Sequence, residues 1–415
     1  MPRRKNCRAG EASEMSSAVA DAAVPQLTVE SLLTAAREKS GLADFGDASF
    51  LEPLTVLVNA LATEANLSVG GIYGQYQRLL DLLVNRLRVE DALKKHPEIR
   101  TEKIENPVLI VGLPRTGTTM LHRIMASDSR FFAPLWYEVR NPALFPFEQT
   151  SWAPGSTAKD PRITDAEEQV AVMLQLAPEL LKIHPLDPVG ADEEIMLLEH
   201  SFFSTTPPAF ANVPSYTQWV QQHDNTPGYR YLKVLLQYLQ WQKKAGGQQA
   251  SRWLLKAPHH LHNMAELFAV FPDAKVILTH RDPLQTIPSI SSFHFTLWKM
   301  AADNPDPAVC GAQWSAMFAR GMQMTMQFRD QHPASFADVM YRDTVKSPFE
   351  VIEKVYAFIG MVLTDEARAA MHQWREDNKR ENREAHEYTL QQFGFTEAGL
   401  KAQFAGYRAR HIEAE

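Results

Sequence analysis

From Leu27 to about Pro97 apolar residues recur at spacings of three and four, as in FLEPLTVLVNALATEANL and IYGQYQRLLDLLVNRLRVEDALKKH. That spacing lays an apolar stripe along one side of a helix, and it predicts an N-terminal helical region over residues 27–105. The pattern then changes. PVLIVGL, RWLLKAP, AKVILTHRD and FADVMYRD are short apolar or β-branched runs, each closed by polar residues, with helical periodicity between them. Buried parallel strands read in this way. The prediction is an α/β fold: a P-loop-type parallel sheet flanked by helices, spanning residues 106–394. Two stretches rich in proline and small polar residues, NPALFPFEQTSWAPGSTAKDP and AADNPDPAVCGAQ, are predicted as irregular connections. Residues 395–415 are expected to form a helical tail. The first 26 residues are basic with no apolar run behind them, so they are expected to be a disordered leader rather than a secretory signal.

Composition adds little beyond an ordinary globular chain: 415 residues, 45% hydrophobic, 22% charged. The formal net charge of -7 argues against nucleic acid or an anionic membrane as a general partner, so any anion site has to be local. Cys7 and Cys310 are the only cysteines, which excludes a disulfide framework and a cysteine metal cluster and fits a cytoplasmic location. No run of 18 apolar residues provides a membrane span.

In an open parallel sheet, ligands sit at the carboxyl ends of the strands, and the chemically interesting stretches fall there. In GLPRTGTT, Gly112 and Gly117 let the backbone curl so that amides converge on an anion at a helix N-terminus, with Thr118 and Thr119 adding hydroxyls. A kinase loop carries a lysine after its second glycine; here Thr118 stands in that place, and Arg115 supplies the charge instead. Lys256 ends the apolar run RWLLK beside His259 and His260. Arg281 ends the run AKVILTH, and Ser289 follows eight residues later near a helix start, which makes a second anion site. Two separated anion sites suit a nucleotide phosphorylated at both ends. Taken singly, each residue also admits a plainer reading, as a ligand-free turn, a solvated strand-end lysine or a surface ion pair.

With PRTGTT, LKAPHHL and THRDPLQTIPSISS in that order, the chain resembles the sulfotransferases that use 3'-phosphoadenosine 5'-phosphosulfate (PAPS), particularly bacterial ones and more distantly the tyrosylprotein sulfotransferases. The resemblance covers about Asn106 to Gly394 and leaves the N-terminal helices outside. It implies a 5'-phosphosulfate loop over Arg115, Thr116, Gly117, Thr118 and Thr119, and a 3'-phosphate site at Arg281 and Ser289. It also implies a place near adenine for Tyr341, and a role for Lys256 in stabilising the transferring sulfuryl group together with Arg115. The C-terminal phosphate clamp of cytosolic relatives is not present as such; Lys379, Arg380 or Arg383 are its candidate replacements.

Sulfuryl transfer needs no bridging metal, and none is expected; His259 and His260, adjacent in the chain, lack a third ligand at suitable spacing. The acceptor is expected to be a small molecule bearing a hydroxyl, whose attack calls for a general base. Glu138 leads by position, 23 residues after Arg115, with His184, Glu193 and Glu194 as alternatives. The methionine- and aromatic-rich stretches SSFHFTLWKM and WSAMFARGMQMTMQF are read first as core; any part that lines the cleft would favour an apolar alcohol. A P-loop kinase and a non-catalytic nucleotide-binding module remain as other readings, and the N-terminal helices offer a face for a homodimer.

Overall fold

The structure, a computed structural model, describes residues 24–146, 149, 152–176, 186–378 and 388–413. The helical start predicted from the sequence is α1 (Val29–Ser40), α2 (Leu51–Thr63) and α3 (Val69–Lys95). The sheet follows: β1 (Val108–Gly112), β2 (Phe131–Phe132), β3 (Arg252–Lys256), β4 (Lys275–His280) and β5 (Phe336–Met340). All pairs are parallel, in the order β2-β3-β1-β4-β5. The four longer strands coincide with the four apolar runs. β2 is an addition of two residues held against β3.

Successive strand residues point to opposite faces, and both faces are covered. Leu109, Val111, Trp253, Leu255, Val276 and Leu278 enter one core, while Val108, Ile110, Leu254, Ile277 and Val339 enter the other. The second core is closed by α4 (Thr118–Ala126), which begins at the end of the curled loop. The first is closed by α7 (Thr226–Ala245), α8 (Pro283–Ala301) and α9 (Pro307–Gln331). Between α4 and α7 lie α5 (Trp136–Arg140) and α6 (Pro161–Leu176). Trp314, Met317, Phe318, Met322 and Met326 of α9 are buried in the first core, in keeping with the core reading of that stripe.

Two expectations change. The loop read from Ala301 to Gln313 shortens, because α8 runs to Ala301 and α9 starts at Pro307. Asp306 caps α9 by accepting from the Ala308 amide at 2.8 Å, and proline is favoured at the first helical position because its missing N–H has no intrahelical partner there. Within residues 395–413 the chain also joins the first core, through Leu400 on the helix Glu397–Gln403, Tyr407 on α10 (Ala405–His411) and Phe404 between the two.

The N-terminal helices dock onto this body. Their leucines form a core with Phe202, Val213 and Tyr216. Arg86, 2% exposed, lies between the rings of Phe50 and Tyr231 and donates to the carbonyls of Phe45 and Asp47, both at 2.8 Å. Asn66 and Ser68 bond to the carbonyls at the end of α8. No helix among the described residues is long and apolar enough to cross a membrane.

Candidate active site

β1 is the middle strand; the chain leaves its carboxyl end toward β2 on one side, while β3 connects to β4 on the other, and a crevice opens where the connections diverge. The loop Leu113–Gly117 lies there. Gly112 pairs with Thr279 of β4, and a Cβ on Gly112 would sit 2.6 Å from the Thr279 carbonyl, so only glycine allows the strands this close. Gly117 has φ 83° and caps α4 without a side-chain bond, leaving the helix amides facing the loop. Arg115 adopts φ 72°, unusual for a residue with a side chain; such strain concentrates at functional sites.

The Thr116 side chain departs from its expected role. Its hydroxyl, 1% exposed, donates to the Leu113 carbonyl at 2.7 Å and meets the Thr279 hydroxyl at 2.7 Å, so it braces the loop from behind and only its main chain is left to serve a ligand. Thr118 and Thr119 are partly exposed at the start of α4.

The residues read from the sequence as a second anion site adjoin the loop. Arg281, just beyond β4, donates from Nη1 to the Arg115 carbonyl at 2.8 Å and from Nε to Gln285 at 2.9 Å. Its guanidinium carbon lies 4.1 Å from the Tyr341 ring centre, a cation–π distance. Tyr341 in turn packs on the curled loop, since a Cβ at Gly117 would meet its ring at 3.0 Å. Ser289 lies six residues into α8, about 9 Å along the axis from Pro283. Arg115, Gly117, Arg281 and Tyr341 therefore form one contact group at the ends of β1, β4 and β5.

On the other side of β1, Lys256 ends β3 and is 1% exposed. Its ammonium lies 3.4 Å from the Thr119 hydroxyl and is paired with Glu193. Its amide donates to Glu194 at 2.7 Å. Glu194 is fully buried and bonds His260 Nε2 at 2.6 Å, and His260 Nδ1 meets the Tyr229 hydroxyl at 2.7 Å. The two adjacent glutamates thus take different work. Burial opposes ionisation of Glu194, but His260 and the Lys256 amide overcome it and hold the carboxyl below its ordinary range. Glu193, with 23% of its side chain accessible, keeps a raised pKa because desolvation outweighs the attraction of Lys256.

Glu138, the leading base from sequence position, is placed differently. It is 3% exposed; one carboxylate oxygen accepts from the Leu135 amide at 2.9 Å and closes the first turn of α5, and the other pairs with Lys243 of α7 at 2.7 Å. The carboxylate paired with Lys256, whose ammonium also reaches Thr119, is Glu193. The sequence ranking rested on spacing from Arg115 and had no view of Lys243. Removing one charge of a buried pair leaves the other uncompensated. Glu138→Gln is accordingly expected to cost about 3 kcal/mol in denaturant unfolding, with turnover of the folded protein at neutral pH within a few-fold of wild type. His184, Lys379, Arg380 and Arg383 lie outside the described residues.

His259 is held by Asn263 and by the amide and hydroxyl of Thr205, and burial beside His260 and His262 drives its pKa well down. His280, Asp338 and His411 also gather within 4.8 Å. There the two imidazoles stack face to face, with centres 4.1 Å apart and planes 4° from parallel, and Asp338 is paired with Arg329. Stacked rings do not aim two lone pairs at one ion, and the guanidinium already balances the carboxylate.

Sequence reasoning did not find Lys243, Tyr229 or Thr279. Each acts across long sequence separations, and no local pattern marks them.

Residues 107–365 match the family described as "Sulfotransferase family". Among curated proteins, the omega-hydroxy-beta-dihydromenaquinone-9 sulfotransferases Stf3 of Mycobacterium bovis and Mycobacterium tuberculosis are each 25% identical over 263 residues, 61% of this chain. The match spans 63% of those relatives' length. Among solved structures, sulfotransferase STF1 from Mycobacterium tuberculosis H37Rv is similar at 30% identity and a TM-score of 0.78, over 91% of this chain and 98% of that one. Sulfotransferase STF9 from Mycobacterium avium shares the fold, with a TM-score of 0.81 at 22% identity over 94% of this chain and 98% of its own. Coverage of 91% exceeds what residues 106–415 provide, so the likeness to STF1 extends into the N-terminal helices that the sequence resemblance had left outside. A curled loop with arginine in place of the kinase lysine, a second arginine bonded to it, and a family match across the whole sheet lead to one conclusion: the chain belongs to the sulfotransferase family.

Proposed function

We propose that the protein moves a sulfuryl group from PAPS to the hydroxyl of an apolar small molecule, with Lys256 and Glu193 as the central pair. One observation carries this reading: the Lys256 ammonium stands between the loop, at Thr119, and a carboxylate whose pKa is raised. The loop amides and Arg115 take the 5'-phosphosulfate end of the donor, and Arg281 and Ser289 take the 3'-phosphate. The Arg281 to Arg115 bond supports this by keeping the two sites within reach of a single adenosine.

In the reaction the acceptor oxygen bonds to sulfur while the bond from sulfur to the bridging oxygen breaks. The electron pair leaves with the phosphate, and the acceptor proton passes to Glu193. Lys256 and Arg115 offset the charge that grows on the leaving oxygen, as fixed charges at a dry site do.

The acceptor class is inferred from an apolar cluster that shares α8 with Ser289 and a stretch of chain with Glu193. Ser289, Phe293 and Leu297 share one face of α8 at four-residue spacing. Leu297 packs with Met173, Leu186, Ala209, Phe210 and Phe293. Met173 and Leu186 continue into the cluster around Trp136 and Val170. Leu186 lies seven residues before Glu193, so this apolar wall and the base belong to one stretch of chain. The curated relatives' name, a sulfotransferase of a hydroxylated dihydromenaquinone, supports an apolar acceptor. A cytoplasmic location and homodimerisation through the N-terminal helices are part of the same proposal.

Purified protein incubated with PAPS and a panel of hydrophobic alcohols should release 3'-phosphoadenosine 5'-phosphate (PAP), with EDTA making no difference. Transfer to carbohydrate acceptors in preference to the alcohols would defeat the acceptor class; failure to release PAP with any acceptor would defeat the enzyme reading.

A further inference from the structure

We propose that α10 is a donor-binding clamp, in which Tyr407 and Arg408 act as positioning residues for the 3'-phosphate; this rests on the sulfotransferase reading above. The three residues at the end of β4 and just beyond it, His280, Arg281 and Asp282, are each held from this one helix. The Tyr407 hydroxyl lies 3.2 Å from His280 Nδ1 and donates to the Arg281 carbonyl at 3.5 Å. His411 stacks on His280. Arg408, 8% exposed along its side chain, pairs with Asp282 and also donates to Glu413 at 2.9 Å. Arg410 anchors the helix to Asp330 at the end of α9, at 2.5 and 2.8 Å.

Asp282 explains why such a clamp is useful. Its carboxylate caps α8, accepting from the Leu284 amide at 3.0 Å, and so sets the direction of the helix that carries Ser289. It also belongs to the residue next to Arg281, so its charge would weaken a phosphate site at Arg281. Arg408 offsets that charge while the carboxylate keeps its bond to the Leu284 amide. Tyr407 meanwhile fixes the main chain from which the Arg281 side chain reaches Tyr341 and the loop. Neither residue touches the reacting atoms, so the effect belongs to donor affinity and not to the transfer step.

Calorimetric titration of the full chain with PAP, and with adenosine 5'-phosphate as the ligand lacking a 3'-phosphate, tests this. Arg408→Ala is expected to weaken PAP binding about tenfold, a charge effect of ordinary size, and to change adenosine 5'-phosphate binding less than twofold. Adding Asp282→Asn, which keeps a capping oxygen but removes the charge, should restore most of the PAP affinity. Tyr407→Phe should weaken PAP binding a few-fold. The proposal is overturned if Arg408→Ala binds PAP as wild type does, if both ligands weaken alike, or if the double variant binds no better than the single. Should wild type itself not bind PAP, the sulfotransferase reading falls and takes this inference with it; failure of the variants against a wild type that binds removes the inference alone.

Discussion

Replacing Glu193 by glutamine is expected to lower turnover by about 10²- to 10⁴-fold, the usual worth of a positioned general base. The substitution retains the shape of the side chain and an oxygen that can accept from the Lys256 ammonium, so the contact from β3 to the segment before α7 survives. It removes the ability to take up a proton. Glutamine leaves the buried Lys256 ammonium without its counter-charge, so some loss of stability is expected as well, and thermal unfolding separates that loss from the loss of turnover.

The pH profile makes the same prediction in a second way. Burial holds the Glu193 carboxyl above its ordinary range despite Lys256. A base works only when deprotonated, so wild-type turnover should be full at pH above this raised value and fall as pH drops through it, at higher pH than an unperturbed carboxylate would give. The residual activity of Glu193→Gln should lack that acidic limb. Full turnover by this variant, together with a large loss in Glu138→Gln, would return the role of base to Glu138.

How far the sequence foretold this site follows from the range of the interactions involved. Strands buried on both faces appear as continuous apolar runs, and four such runs became β1, β3, β4 and β5. Charged residues that close those runs, Lys256 and Arg281, were legible because a charge at the end of a buried strand has few places to go. β2 was not legible, since two residues carry no periodicity. The start of α9 was hidden by reading Asp306 and Pro307 as loop formers when the pair also makes a helix start. Least legible were the partners. Arg408 meets Asp282 across 126 residues, and the choice between Glu138 and Glu193 depends on which distant lysine each one engages. Local pattern fixes where a side chain starts, and tertiary packing decides what it meets.

Lys256→Met should be nearly as damaging as loss of the base, by about 10²- to 10³-fold in turnover, the scale found when one fixed stabiliser of developing charge is removed. Methionine fills a similar volume at a position only 1% exposed, and the main-chain bond from residue 256 to Glu194 does not depend on the side chain, so the end of β3 should hold its place. Donor affinity should change far less than turnover, because the proposed function assigns the phosphates to the loop and to the Arg281 side of the crevice. A second effect distinguishes this variant from a general lesion. The Lys256 charge is the principal influence pulling the Glu193 pKa down against burial, so its removal should raise that pKa further. The acidic limb of the residual activity should therefore shift to higher pH than in wild type. A pH profile measured under saturating donor checks this. An unshifted limb would mean that Lys256 and Glu193 are not electrostatically coupled during turnover, and the pairing at the centre of the mechanism would have to be abandoned even if the loss in turnover were as large as expected.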